Sequence, residues 1–169
     1  MVKAEIDSRE IKISIGPIDG QAEAARCATI MATSDPWITL GRGFEKCHAA
    51  VTDPTREVYV ARVGDELAGF LILTMQGAFR GYIQAIATDE KFRGRGVGTA
   101  LITFAERRIF TESPNVFMCV SSFNHRAKAL YLRLGYEVIG ELVDYVVRGH
   151  SEWLLRKSVA PLSEFTPVA

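Results

Sequence analysis

Three glycines fall within the five residues from Gly94 to Gly98, in the run Arg93-Gly94-Arg95-Gly96-Val97-Gly98, at the junction of two unlike segments. Upstream, Tyr82 to Thr88 has the β-branched and apolar composition of a strand. Downstream, Val97, Leu101, Phe104, Ala105 and Ile109 recur at helical spacing, with Glu106, Arg107 and Arg108 on the opposite face. The junction is therefore a strand-to-helix turn of an α/β protein. Glycines here let the backbone bend so that several N–H groups face one point, a nest suited to an anion. The first-turn donors and dipole of the following helix add about 0.3–1 kcal/mol for an exposed anion, and up to about 2 kcal/mol when it is partly buried. Arg93 and Arg95 supply charge-assisted bonds to phosphate oxygens, with Lys91 at the rim. Two other phosphate loops fit poorly. A Walker loop needs a lysine followed by Ser or Thr, and a GxGxxG fingerprint needs glycine where Thr99 stands. A glycine-rich turn without a ligand explains the glycines about equally well; the preceding strand, the two arginines and the amphipathic helix favour the anion site.

The rest of the chain supplies a sheet and its covering helices. Ile11, Ile13 and Ile15 alternate with polar residues and predict an opening strand. Asp19 reads as an N-cap for a helix over Gln21 to Ala32, stopped by Ser34-Asp35-Pro36. Leu40, Phe44, Cys47, His48 and Val51 predict a second helix, weakened by Gly41 and Gly43. Glu57 to Val63 and Leu67 to Met75, joined by Gly64-Asp65-Glu66, form a hairpin, and Tyr82 to Thr88 is the third strand of the series. Beyond the glycine-rich turn, Val116 to Val120 is a strand buried on both faces. Asn124 caps a helix that ends at Leu134-Gly135. Two closing strands, Glu137 to Val147 and Glu152 to Lys157, flank Arg148-Gly149-His150. The order is β-α-α-β-β-β-α-β-α-β-β, a mixed, mostly antiparallel sheet, with residues 1–160 as one domain and 161–169 as a tail without periodicity.

Composition narrows the partners. Twenty basic residues balance twenty acidic ones, so bulk charge calls for neither nucleic acid nor an anionic membrane. Cys27, Cys47 and Cys119 are odd in number and widely spaced, which argues against a disulfide framework or a metal site and for a reducing cytosol. Met1 to Ile15 alternates charge with isoleucine instead of presenting the apolar core of a leader, and Phe70–Leu73 is far too short to span a membrane.

The run from Ile86 to Thr99 resembles the acyl-CoA motif of the GNAT superfamily of N-acyltransferases, [QR]xxGx[GA], with Arg93, Gly96 and Gly98 at its defining positions. Downstream, Asn124, Ala127, Tyr131, Gly135 and Tyr136 resemble that superfamily's second motif, an asparagine at a helix start followed by YxxxG[FY]. The resemblance spans about Glu57 to Lys157. It implies a central sheet with splayed middle strands and helices on both faces. It also implies that acetyl-CoA is the co-substrate, without a metal, and that a primary amine of a small molecule or a peptide N-terminus accepts the acetyl group in a ternary complex. Ile86, Ala87 and Thr88 would pair with the pantetheine arm, and the Ile86 N–H would hold the oxyanion. Arg93, Gly94, Arg95, Gly96, Val97, Gly98 and Thr99 would hold the pyrophosphate. Asn124 would bond the pantetheine or cap its helix, and Tyr131 would protonate the departing thiolate. Glu90 departs from the superfamily, which often has proline there.

Where many members of that superfamily carry a basic glutamate on the strand before the loop, this chain offers Tyr82 and Gln84. Glu57, Glu141, Asp144 and His150 are alternatives, and the sequence selects none. The resemblance further implies an acceptor side built around Trp37, Phe44, Asp144, Tyr145 and the segment Arg148 to His150. The ending Gly140 to Val147 leading into Glu152 loosely resembles enzymes that acetylate protein N-termini, including the ribosomal-protein type. The apolar strand Val143 to Val147 offers an edge to a second copy of the chain. A CoA-binding regulatory module without catalysis, and a GTP- or dinucleotide-binding domain, are the competing readings.

Overall fold

A computed structural model describes the backbone of residues 4–8 and 11–168, and side chains from residue 11 onward. Residues 1–3, 9 and 10 of the opening stretch lie outside the described part, as does residue 169. The elements in order are β1 (Ala4–Ser8), β2 (Ile11–Pro17), α1 (Gly20–Ala32), α2 (Phe44–Val51), β3 (Glu57–Val63), β4 (Glu66–Thr74) and β5 (Tyr82–Thr88). A 3₁₀ turn (Glu90–Phe92) leads to α3 (Val97–Ile109), β6 (Asn115–Ser121), α4 (His125–Arg133), β7 (Glu137–Leu142) and β8 (Glu152–Ser158). Eight described strands form one sheet in the order β1-β2-β3-β4-β5-β6-β8-β7, in which only the β5–β6 neighbours run parallel.

Strand periodicity divides the core between two faces. Along β3 and β4, Tyr59, Ala61, Leu71 and Leu73 face α3, whereas Val58, Val60, Phe70 and Ile72 face the first two helices. Leu101, Phe104 and Ala105 of α3 complete the first layer, and Cys27, Ala28 and Met31 of α1 with Cys47 and Val51 of α2 complete the second. Burying a side chain as large as Leu101 or Phe104 contributes about 1.5–3 kcal/mol each. Helices thus cover both faces, as the resemblance implies, and α4 sits on the α3 side through Ala127, Leu130 and Tyr131.

Four local expectations change. An additional strand, β1, pairs antiparallel with β2 from Ala4↔Ile15 to Ser8↔Ile11; a five-residue edge strand has little periodicity of its own and is specified by its partner. Helix α2 begins at Phe44 and not near Leu40, because Gly41 is left-handed at φ 64° and Gly43 is extended. Asp19 occupies the N-cap position of α1 without a side-chain cap; instead Glu23 Oε2 accepts a hydrogen bond from the Asp19 N–H at 2.7 Å. Strand β7 stops at Leu142, so Val143 to Val147 is not a strand. The chain turns there, with Asp144 at φ 53° and its carboxylate accepting from the Gly149 N–H at 2.7 Å, and the edge predicted to pair with a second copy through those residues is absent. No helix among the described residues is long and apolar enough to cross a membrane.

Candidate active site

The site originates in a bulge. Against β4, Ala85 faces Ile72 and Ile83 faces Leu73, which leaves Gln84 as an extra residue on β5. A bulge bends the strand that carries it. Beyond it, β5 keeps β4 as a neighbour on one side but leaves β6, to which it is paired only at Tyr82↔Phe117 and Ile83↔Met118. Strand β6 turns to β8 instead and pairs with it from Asn115↔Ser158 to Ser121↔Glu152. The two parallel strands therefore diverge, and one edge of β5 from residue 85 to 88 faces a gap instead of a strand.

Two cavities fill this gap and meet at Pro36, Trp37, Ile86, Asn124 and Tyr131. The larger, about 800 Å³, runs along β5 to the start of α3. Ile86, Ala87, Thr88, Arg93, Gly94, Gly96, Val97, Gly98, Thr99, Asn124 and Tyr131 all line it. Gly94 and Gly96 are left-handed, at φ 75° and 82°, and Gly96 is the N-cap of α3, so the turn brings the first free N–H groups of the helix to the cavity wall. A Cβ on Gly98 would stand 3.6 Å from Thr88 Oγ1 and 3.8 Å from Leu130, ordinary contacts. No protein atom demands glycine there, and the missing side chain keeps the helix start open to the cavity. Arg95 is the exception among the sequence-predicted residues. It is not in the cavity lining, and its guanidinium lies 5.9 Å over the Phe92 ring.

Asn124 caps α4, its Oδ1 accepting from the Ala127 N–H at 3.3 Å. Two turns along the same helix, Tyr131 is 7% exposed, and burial pushes its phenol up to about 12. Its proton is held throughout the neutral range.

The smaller cavity, about 440 Å³, lies on the other side of these shared residues. Trp37 and Tyr145, both expected on the acceptor side, line it, as do Tyr82 and Gln84 of β5. Phe44 does not; it stacks on His48 at 5.6 Å. Asp144, Arg148 and His150 are also absent from the lining, and His150 packs edge-on to Phe123 at 5.0 Å. Glu57 is engaged elsewhere, accepting from Tyr59 Oη at 2.7 Å and Arg108 Nε at 2.9 Å, and Glu141 is exposed on β7. Residues that the sequence did not single out stand in this cavity instead: Glu152, Cys119, Ser121 and Arg42.

Glu152 is 5% exposed, and Ser121 Oγ donates to its Oε1 at 2.6 Å. Burial raises its pKa above the usual carboxyl value, opposed by the Ser121 bond and by the charges of Arg42 and His150. Burial likewise raises the Cys119 thiol, against a hydrogen bond from Tyr82, and raises the Tyr82 phenol. The only sequence signal for Glu152 was a charge at the start of an apolar strand, the ordinary place for a solvated one. Its inward position follows from the β6–β8 register. Among the described residues no group of His, Cys, Asp and Glu is arranged to hold a metal.

The model of the acetyltransferase (GNAT) family matches residues 23–136. An N-alpha-acetyltransferase of Sulfurisphaera tokodaii is 29% identical over 118 residues, covering 62% of this chain and 68% of that protein. An uncharacterized protein of Mycobacterium leprae is 35% identical over 101 residues; the match covers 57% of this chain and only 28% of that longer protein. In structure, an aminoglycoside 6'-N-acetyltransferase complexed with coenzyme A superposes with a TM-score of 0.70 at 15% identity, over 87% of this chain and 97% of that one.

Proposed function

The chain belongs to the acetyltransferase (GNAT) family, and on that premise we propose that it binds acetyl-CoA in the larger cavity and transfers the acetyl group to a primary amine in the smaller one. The observation that carries this reading is the open β5 edge, residues 85–88, which leads through the 3₁₀ turn Glu90–Phe92 to the left-handed glycines Gly94 and Gly96 at the start of α3, all along one cavity. The edge offers backbone groups to the two amides of a pantetheine arm, as a sheet edge does to an added strand. The turn and the first N–H groups of α3 then receive the pyrophosphate, with Arg93 as the charged partner. The coenzyme A bound to the structurally similar aminoglycoside enzyme supports the same ligand here.

This placement sets the thioester at the meeting point of the cavities. The Ile86 backbone N–H donates to the carbonyl oxygen as it becomes an oxyanion, a contact whose loss costs about 2.7–4 kcal/mol in comparable sites. The amine nitrogen attacks from the smaller cavity, and Tyr131 faces the departing sulfur. Burial keeps the proton on the Tyr131 phenol. Its role is therefore hydrogen-bond donation to the sulfur as negative charge builds, with Asn124 holding the start of the same helix. Asn124 and Tyr131 stand between the two ligands, and a module that only sensed CoA would have no use for the second cavity.

The N-alpha-acetyltransferase relative supports an amine at a peptide N-terminus within the acceptor class. The unpaired thiols Cys27, Cys47 and Cys119 support a reducing compartment. Free-thiol release from acetyl-CoA across a panel of amines tests the reading: thiol appears only when an amine is present. Binding of acetyl-CoA without turnover of any amine would make the protein a CoA sensor, and failure to bind acetyl-CoA would remove the assignment altogether.

A further inference from the structure

We propose that Glu152 takes the proton from the acceptor's ammonium group, and that the acceptor is an amine bearing a single positive charge on an apolar carrier. The inference rests on the transferase reading and names the two things that reading leaves open, the base and the substrate class.

Geometry selects Glu152. It opens β8 directly opposite Ser121, at the end of β6 where β5 has already diverged, so its carboxylate enters the cavity that borders Ile86 and Tyr131. Among the described residues it is the only carboxylate in that cavity's lining. Ser121 Oγ holds Oε1 at 2.6 Å, and no hydrogen bond among the described residues occupies Oε2. An orienting bond on one oxygen leaves the other to meet an ammonium. The groups that act on Glu152 come from three directions: Arg42 from the turn before α2, His150 from the loop before β8, and Tyr82 with Cys119 from the facing strands. Arg42 and His150 favour the carboxylate, and burial favours the acid. Their opposition leaves a carboxylate more basic than one in water, as a proton acceptor requires.

The lining also limits the acceptor. Among the described residues its charged side chains are Glu152 and Arg42, one of each sign; most of the other lining residues are apolar or aromatic, including Met31, Trp37 and Leu40, with Gln84, Ser121 and Asn124 as uncharged polar groups. One ammonium finds one carboxylate. The further charges of a polyamine or an aminoglycoside would be set against Arg42 and uncharged groups, with no second carboxylate to offset the desolvation cost. A peptide N-terminus with no other charge nearby, or a simple aralkylamine, meets the cavity on both counts.

The protons balance. The ammonium gives one proton to Glu152 Oε2, and the freed nitrogen lone pair forms the C–N bond at the thioester carbon. Collapse breaks the C–S bond, and the sulfur leaves with its electron pair while accepting a hydrogen bond from Tyr131. The second nitrogen proton ends on the thiol. The proton on Glu152 is released to solvent, one per turnover.

The test measures kcat/KM against pH for wild type and Glu152→Gln. The dipeptide amide of alanine and phenylalanine and phenylethylamine serve as monocations, spermidine and kanamycin as polycations. Wild type is expected to prefer a monocation by at least about tenfold and to show a plateau between the carboxyl pKa and that of the amine. Glu152→Gln is expected to bind acetyl-CoA with unchanged Kd and to lose about 10²-fold or more at neutral pH. Its remaining activity should climb tenfold per pH unit up to the amine's own pKa, because only free amine then reacts. A plateau retained in the Gln variant, or a preference for polycations, overturns the proposal while leaving the transferase reading intact. If the Gln variant does not fold, the wild-type profile decides: a slope of one up to the amine's pKa overturns it. Acetyl-CoA binding with no amine acetylated overturns both readings.

Discussion

The two cavities that meet at Tyr131 are built in opposite ways. The larger is built chiefly on one continuous stretch, Ile86 to Thr99, whose strand edge and glycine turn present backbone, with one face of α4 and residues 33–38 closing it. The smaller is made by side chains from separate parts of the chain: Trp37 and Arg42 before α2, Tyr82 on β5, Cys119 and Ser121 on β6, Tyr145 in the last loop and Glu152 on β8. A ligand common to a whole family is suited by backbone geometry that side-chain changes leave intact. A pocket of side chains from distant segments can be altered residue by residue, which is how one fold serves different acceptors. With the acetyl donor and acceptor placed as proposed, the two are met by different kinds of structure.

Substitutions on either side and at the boundary test that division. Tyr131→Phe acts at the boundary, where it removes the donor to the departing sulfur. A hydrogen bond to a charged group contributes about 1.5–3 kcal/mol, so kcat is expected to fall roughly 10–150-fold. The Kd for acetyl-CoA, measured by calorimetry, should stay the same. An unchanged turnover at saturating substrate would remove the phenol from the chemistry.

Arg93→Ala is the complementary case. It should weaken acetyl-CoA binding about tenfold with kcat retained, and the loss should shrink at high salt. Arg95→Ala, whose guanidinium lies over Phe92 and outside the cavity lining, should change the same Kd by less than about twofold. Equal effects of the two substitutions would show that the pyrophosphate is held by charge in general and not by the shape of the turn.

The smallest expected effect is on stability, and it has a definite sign. Burial raises the carboxyl pKa of Glu152 in the folded chain above the unfolded value of about 4.3. The folded state then holds that proton more tightly, so the stabilisation is fully present below about pH 4.3 and is lost as pH rises through the folded value. Glu152→Gln should therefore have a higher Tm than wild type at pH 7, with the difference narrowing toward pH 4. A variant less stable at pH 7 would mean that the carboxylate is retained for structure, not for the acceptor.

Much of the donor side was legible in the sequence because its signals are local. The glycines at 94 and 96 mark left-handed backbone, the 3.6-residue period of Val97, Leu101 and Phe104 marks the helix, and Asn124 marks its own cap. Strands β3 and β5 have the predicted limits for a related reason, since alternation and β-branched composition are properties of short windows. Local signals failed where a partner decided the outcome. Ala4–Ser8 is a strand because β2 lies beside it, and Val143 to Val147 is not one although its composition permits it, because the chain turns at Asp144.

By itself, the sequence determined the order of the elements from β2 onward, the glycine-rich turn and the Asn124 cap, all consequences of backbone preference within a few residues, whereas Tyr131 stood out only through its place in a family motif. Only the tertiary structure decided which carboxylate is buried in the cavity beside Ile86 and Tyr131. Glu152 and Cys119 are separated by more than thirty residues and share a cavity because the extra residue Gln84 bends β5 away and the register of β6 with β8 sets Ser121 opposite Glu152. Register is a relation between strands. A shift of one residue would turn Glu152 to the other face of the sheet, and that choice is made by the packing of the whole sheet and by no segment alone.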